Sequence, residues 1–189
     1  MCKRTLYFVS FLLILLVNCI ELQAKDEIPE GWHKDSNGAE YEVSIDKTIF
    51  RSAPKSYSIK SSESATPESG CELFQTFDAD KFLGKRIRIS LFAKGDIKNY
   101  SLLYLCVGSK GRVIRGVNGL ITSSVDWKNY TVVIDVAENV TYLRYGVTLS
   151  GRGQIWFDDL NIEIVGKDVP EKNVYFPTPP KIDKPYNLP

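Results

Sequence analysis

From residue 41 onward, apolar side chains recur at every second position in short runs, and the three-and-four spacing of an amphipathic helix is almost absent. KRIRISLFAKG (85–95) sets Ile87, Ile89, Leu91 and Ala93 on one face and Arg86, Arg88 and Ser90 on the other. NYTVVIDVA (129–137) points Val132, Ile134 and Val136 inward, and TYLRYGVTLSG (141–151) aligns Leu143, Tyr145, Val147 and Leu149. SGRG (150–153) reads as a tight hairpin turn into a last strand on which Leu160, Ile162 and Ile164 share a face. Shorter strands are expected at YEVSID (41–46), SYSIKS (56–61) and CELFQTF (71–77). YSLLYLCVG (100–108) is apolar on both faces, which predicts a central strand covered on both sides. Eight short strands with no helix between them predict an all-β fold, an antiparallel β-sandwich, most simply a jelly roll.

Three stretches break the pattern. Residues 1–24 open with Lys3 and Arg4 and continue into an apolar run from Leu6 to Val17, too short to span a membrane comfortably. They read as a targeting segment, with two processing routes open: cleavage after Ala24, or lipidation of Cys19 in LVNC. Either route places the protein outside the cytoplasm, periplasmic or secreted, with no transmembrane span in the mature chain. KSSESATPESG (60–70) is a polar loop. Residues 169–189 hold six of the nine prolines and must be extended, as a linker or as a segment docked through Tyr175 and Phe176. The division is therefore a signal segment at 1–24, a sandwich domain at 25–168 and a Pro-rich tail at 169–189.

Residues 25–189 carry 22 basic and 22 acidic side chains. A balance near zero argues against nucleic acid or an anionic membrane as a partner. This stretch is long enough for one domain with its own core. It keeps two cysteines, Cys71 and Cys106, which would pair in an oxidising compartment or serve as small buried apolar residues.

Candidate chemistry centres on QIWFDDLNIEIVG (154–166). Adjacent strand residues face opposite ways, so Asp158, with the parity of Leu160, should point toward the core and Asp159 toward solvent. Two diverging carboxylates cannot act as a paired acid and base unless a bulge intervenes. An inward Asp158 needs either a calcium ion or the blander solution, an arginine partner or a turn capped by its side chain. His33, the only histidine, lies in a polar loop-like stretch without GxSxG, HExxH, CxxC or a phosphate-cradling loop. The remaining lead is aromatic: Trp32, Tyr104, Trp127, Tyr130, Tyr145 and Trp156 include candidates for a sugar-stacking face. Arg144, with Arg86, Arg88 and Thr148, lies on the outward side of its strand, lining a polar groove or simply a solvated face.

GKRIRISLFAK, DWKNYTVVIDVAE and YGVTLSGRGQIWFDDLNIEIVGKDVP together resemble the galactose-binding-like jelly rolls, a group that includes many carbohydrate-binding modules. They also resemble poorly characterised bacterial modules, some fused to transcriptional regulators. The likeness spans roughly Gly31 to Pro170 and is strongest in the last thirty residues. It implies a jelly roll with no enzymatic activity of its own, and a structural calcium for which Asp158 or Asp159 would be the matching ligand. The expected function is a non-catalytic exported module that binds a glycan at the cell envelope, through residues such as Trp32, Tyr104, Trp127 and Arg144. The alternative is a structural or protein-interaction component of the envelope with no sugar ligand.

Overall fold

The computed structural model describes residues 26–171 and the backbone of Val174–Tyr175. Residues 1–25, with Cys19 and the cleavage site, lie outside the described residues, as does Phe176. Among the described residues, eleven strands form two antiparallel sheets. One is six-stranded, in the order β1 (His33–Asn37), β4 (Gly70–Asp78), β9 (Tyr142–Ser150), β6 (Tyr100–Ser109), β7 (Arg112–Ile121) and β11 (Val174–Tyr175). The other is five-stranded, in the order β2 (Tyr41–Asp46), β3 (Ser56–Ser61), β10 (Gly153–Val165), β5 (Arg86–Ile97) and β8 (Ser124–Asp135). The only helical turn among the described residues is Asp80–Phe82.

The alternation that predicted the strands also builds the core. Ile87, Ile89 and Leu91 of the five-stranded sheet meet Leu103, Leu105, Leu143, Val147 and Leu149 of the six-stranded sheet, and all are buried. Tyr145 is buried as its parity required. Each fully buried aliphatic side chain contributes roughly 1.5–3 kcal/mol of transfer free energy.

All eight expected strands are present, and three more join them. β1, whose sequence HKDSN has no apolar residue, exists because its backbone pairs with β4 at the sheet edge. His33 therefore sits on an exposed strand, its ring 5.5 Å from that of Phe74, and not in a loop. β7 carries Gly116 and Gly119, which blur its period. β11 falls in the Pro-rich segment and pairs Val174 with Val117 and Tyr175 with Gly116.

The sandwich therefore continues past residue 168. Arg86 donates to the carbonyls of Lys167 at 3.1 Å and Val169 at 2.6 Å, and Glu171 accepts from Arg115 at 2.7 Å and from the Asp135 N–H at 2.6 Å. The turn at 150–153 also departs from expectation. It carries the chain from β9 in one sheet to β10 in the other, so it is a crossing between layers and not a hairpin. Gly151, at φ +69°, supplies the left-handed backbone this reversal needs.

Candidate functional site

At the carboxylate pair, β10 bulges. Its register against β5 shifts between Asp158 and Asn161, and Asp159 adopts φ +53°. An aspartate tolerates this left-handed conformation better than most residues. The extra residue flips the parity: Ile155 and Phe157 are in the core before the bulge, and Leu160 and Ile162 pack against it afterwards. Counting back from Leu160 therefore misassigns Asp158, which points outward. Ile164, expected with the core, is 52% exposed.

The bulge brings the two carboxylates onto one segment. Asp158 Oδ2 accepts the backbone N–H of Arg51 at 2.8 Å and of Ser52 at 3.0 Å, and its Oδ1 accepts the Asp159 N–H at 2.7 Å. Asp159 accepts from the Arg51 guanidinium and the Ser52 hydroxyl. Ser52 chiefly, then Arg51, holds the Asp159 carboxyl below its ordinary pKa despite partial burial. Every donor here is an N–H, a hydroxyl or a cation, a set that does not fit a calcium ion. No cluster of three or more metal-ligating side chains occurs among the described residues. The pair clamps the loop between β2 and β3, with the Arg51 guanidinium stacked 3.5 Å over Phe92.

The cysteines do not meet. Cys71 of β4 faces the core, whereas Cys106 of β6 faces outward, and β9 runs between them. Their β9 neighbours are Leu149 and Arg144, so the two are two strands (about 10 Å) apart and further offset along the chain. A disulfide cannot span that separation, and both thiols are free. Burial pushes Cys71 up to about 12 and Cys106 up to about 11. A protein of residues 25–189, denatured without reductant, should release two titratable thiols, neither reacting rapidly in the native state. One thiol or none would contradict this geometry.

Four of the aromatic and arginine candidates separate by face. Trp32 is partly buried and packs edge-on against core Tyr145 at 5.3 Å. Trp127 is on β8 in the five-stranded sheet. Tyr104 and Arg144 share the outer face of the six-stranded sheet, as does Thr148, while Arg86 and Arg88 belong to the other sheet. The four polar groove candidates are thus divided between opposite faces of the sandwich. Arg86 is bidentate with Asp135, at 2.8 Å for each contact, and Arg88 pairs with Glu163 at 2.7 Å.

The outer face of the six-stranded sheet is organised in rows across the strands. Tyr100, Ser150, Gly70 and Asn37 form one row; Leu102, Thr148, Glu72 and Asp35 the next; Tyr104, Gly146, Phe74 and His33 a third. Small residues at the middle of the first row leave a depression. Gly70 has no side chain, and the Ser150 hydroxyl turns onto the carbonyls of Pro67 at 3.2 Å and Ser69 at 3.4 Å. The result is an open cleft of about 340 Å³, bordered by Tyr100, Asp35, Asn37, Glu68, Glu72 and Thr148. Tyr100 is 44% exposed at its rim.

A polar network supports the floor. Glu72 Oε1 accepts from the Tyr104 hydroxyl and from Arg144 at 3.0 Å, and the Arg144 guanidinium lies 3.5 Å over Phe74. Gly146 makes this packing possible, because a Cβ there would approach the Leu73 carbonyl at 2.4 Å and the Phe74 Cβ at 2.9 Å. Burial raises the Glu72 pKa, opposed by Arg144. The Arg144 Nε is buried with no hydrogen-bond partner among the described residues. The structure brings Tyr104 and Arg144 together on this face, whereas the cleft itself and Tyr100 are not among the residues the sequence singles out. The exposed Tyr100 breaks no pattern, and the small residues that hollow the cleft, Gly70 and Ser150, come from two separate strands.

No family model matches the chain. It is 32% identical, over 165 residues, to the uncharacterized HTH-type transcriptional regulator YbfP of Bacillus subtilis (strain 168), a match covering 84% of this chain and 56% of that protein. The chain spans little more than half the length of that relative, and no helix-turn-helix occurs among the described residues. Among solved structures, the enzymatically active domain of bacteriophage CBA120 tailspike protein 4 superposes with TM-score 0.60 at 13% identity, covering 72% of this chain and 20% of that one. A carbohydrate-binding module of the β-sandwich superfamily, described as promiscuous in specificity, superposes with TM-score 0.53 at 11% identity, covering 70% of this chain and 57% of that one. The chain has the all-β, jelly-roll sandwich fold seen in carbohydrate-binding modules.

Proposed function

We propose that this protein is a non-catalytic glycan-binding module whose ligand lies in the cleft on the outer face of the six-stranded sheet. The observation that carries the reading is the composition of that cleft: an exposed Tyr100 ring beside the hydrogen-bonding groups of Asp35, Asn37, Glu72 and Thr148. A tyrosine face takes the C–H face of a pyranose, and convergent polar groups read its hydroxyls. The fold of carbohydrate-binding modules supports the reading by analogy only. Asp35, Glu68 and Glu72 line the cleft and only Glu72 is neutralised, by Arg144 at 3.0 Å, so the cleft favours a neutral or amino-bearing glycan.

A polysaccharide and oligosaccharide array probed with residues 25–189, with calcium and with chelator, tests this. Saturable binding that is independent of calcium and at least about tenfold weaker in Tyr100→Ala is expected, in line with the loss of one stacked ring. Silence across a broad array, or binding indifferent to Tyr100→Ala, would refute the cleft. A second reading, a protein-interaction component, rests on Val113, Ile114 and Leu120 of β7, which are 45%, 42% and 57% exposed. Export through residues 1–24, to the periplasm, the envelope or the medium, belongs to the same proposal. Incorporation of radiolabelled fatty acid distinguishes lipidation at Cys19 from cleavage at Ala24. No helix among the described residues is long and apolar enough to cross a membrane.

A further inference from the structure

The opposite face of the sandwich holds an aromatic arrangement that the cleft does not use. On the five-stranded sheet, Trp156 of β10 stands opposite Ser58 of β3 on one side and Lys94 of β5 on the other. Its indole Nε1 donates to Asp46 Oδ2 at 2.9 Å, and Asp46 is on β2, two strands away. To reach it the indole must lie across β3. Ser58 beneath it is only 1% exposed although it faces outward, and its hydroxyl is satisfied by that of Ser44 at 2.9 Å. Asp46 is itself fixed by the N–H groups of Thr48 and Ile49, each at 2.8 Å. Trp156 is therefore pinned across β3 through its Nε1, and it remains partly exposed.

The Lys94 ammonium lies over both indoles, 6.0 Å from the centroid of Trp156 and 5.4 Å from that of Trp127. Lys94 takes part in no ion pair among the described residues, and Asp96, two residues on, is paired with Lys98 at 2.7 Å. A cation held by two indoles, with no ion-pair partner among the described residues, retains its capacity to bind an anion.

We propose that Trp156, Lys94 and Trp127 form a second glycan-contact site that takes an acidic sugar, a pyranose carrying a carboxylate of the uronic acid type. The indole stacks on the C–H face of the ring, and the ammonium takes the carboxylate. This goes beyond the cleft reading and does not depend on it. The cleft carries Asp35 and Glu68 in addition to the Glu72–Arg144 pair and so disfavours the same ligand, and the two faces sort glycans by charge.

The test titrates trigalacturonate into the protein and follows tryptophan fluorescence, with galactotriose as the uncharged analogue and polyglutamate as a polyanion without a sugar ring. Trigalacturonate should quench saturably and galactotriose should not. Lys94→Gln should weaken binding about tenfold, as expected for loss of one charge-assisted contact. Trp156→Ala should abolish the response, and Tyr100→Ala, in the cleft, should leave it unchanged. No saturable quenching, undiminished affinity in Lys94→Gln, or equal binding of polyglutamate would each overturn the proposal. Lys94 bears no structural hydrogen bond, so Lys94→Gln decides the matter even if Trp156→Ala does not fold. Failure of Tyr100→Ala to affect array binding would refute the cleft alone, leaving this site to be judged on its own titration.

Discussion

Phe157→Ala should be the most destabilising single truncation in QIWFDD, lowering stability by about 3–5 kcal/mol, the range for a large aromatic removed from a core. Phe157 is 2% exposed, lies between Tyr57 and Ala93 in register, and has its ring 5.8 Å from that of Tyr57. The strands on both sides are tied into the sheet, so the space left behind closes poorly and a cavity term adds to the lost transfer energy. For a domain of this size the melting temperature should fall by roughly 10 °C or more. Its neighbour supplies the control. Trp156→Ala removes a larger side chain, but one on the outer face; it loses one hydrogen bond and uncovers Ser58, which together cost about 1–2 kcal/mol. Thermal melts of both variants decide the point: a larger loss for Trp156→Ala would mean that the alternation before the bulge runs the other way.

Arg144→Ala should destabilise the protein more at neutral pH than in mild acid, the reverse of the acid sensitivity common among proteins held by ion pairs. In the native state Arg144 pairs with Glu72 at 3.0 Å and stacks on Phe74. Removing it leaves a half-buried carboxylate whose remaining side-chain donor among the described residues is the Tyr104 hydroxyl. Breaking a fully buried pair costs about 3–5 kcal/mol. Here 32% and 27% of the two side chains remain exposed, and solvent screening brings the expected loss to about 2 kcal/mol.

The direction with pH follows from the Glu72 carboxyl. Burial raises its folded pKa above the ordinary value of 4.5, and Arg144 opposes that rise, so the variant's pKa stands higher still. A group whose folded pKa is raised binds more protons folded than unfolded, and the associated stability is lost as pH rises through the folded value. Stability of Arg144→Ala should therefore recover as pH falls toward 4.5, relative to the parent at each pH. Adding Glu72→Gln should abolish the recovery, because nothing is left there to titrate. Urea unfolding of the four proteins of this double-mutant cycle, from neutral pH downward, measures it. A deficit independent of pH would show that Arg144 acts through packing on Phe74 alone.

The sequence by itself determined the fold class and most of the strands, because an interior packed on one side of each sheet imposes a period of two that survives in the residues themselves. Ile87, Ile89 and Leu91, or Leu143, Tyr145 and Val147, declare their face without reference to any partner. Only the tertiary structure decided the rest, wherever the cause is a partner distant along the chain. β1 is held by backbone pairing to β4 and leaves no apolar trace in HKDSN. The direction of Asp158 turns on one residue of bulge at Asp159, stabilised by Arg51 and Ser52 more than a hundred positions earlier, and a shift of one residue exchanges the two faces of a strand. Cys71 and Cys106 look pairable until strand order puts β9 between them. The cleft arises because Gly70, Ser150 and Tyr100, from three strands, fall in one row across the sheet, and register is a property of pairing that no local stretch contains.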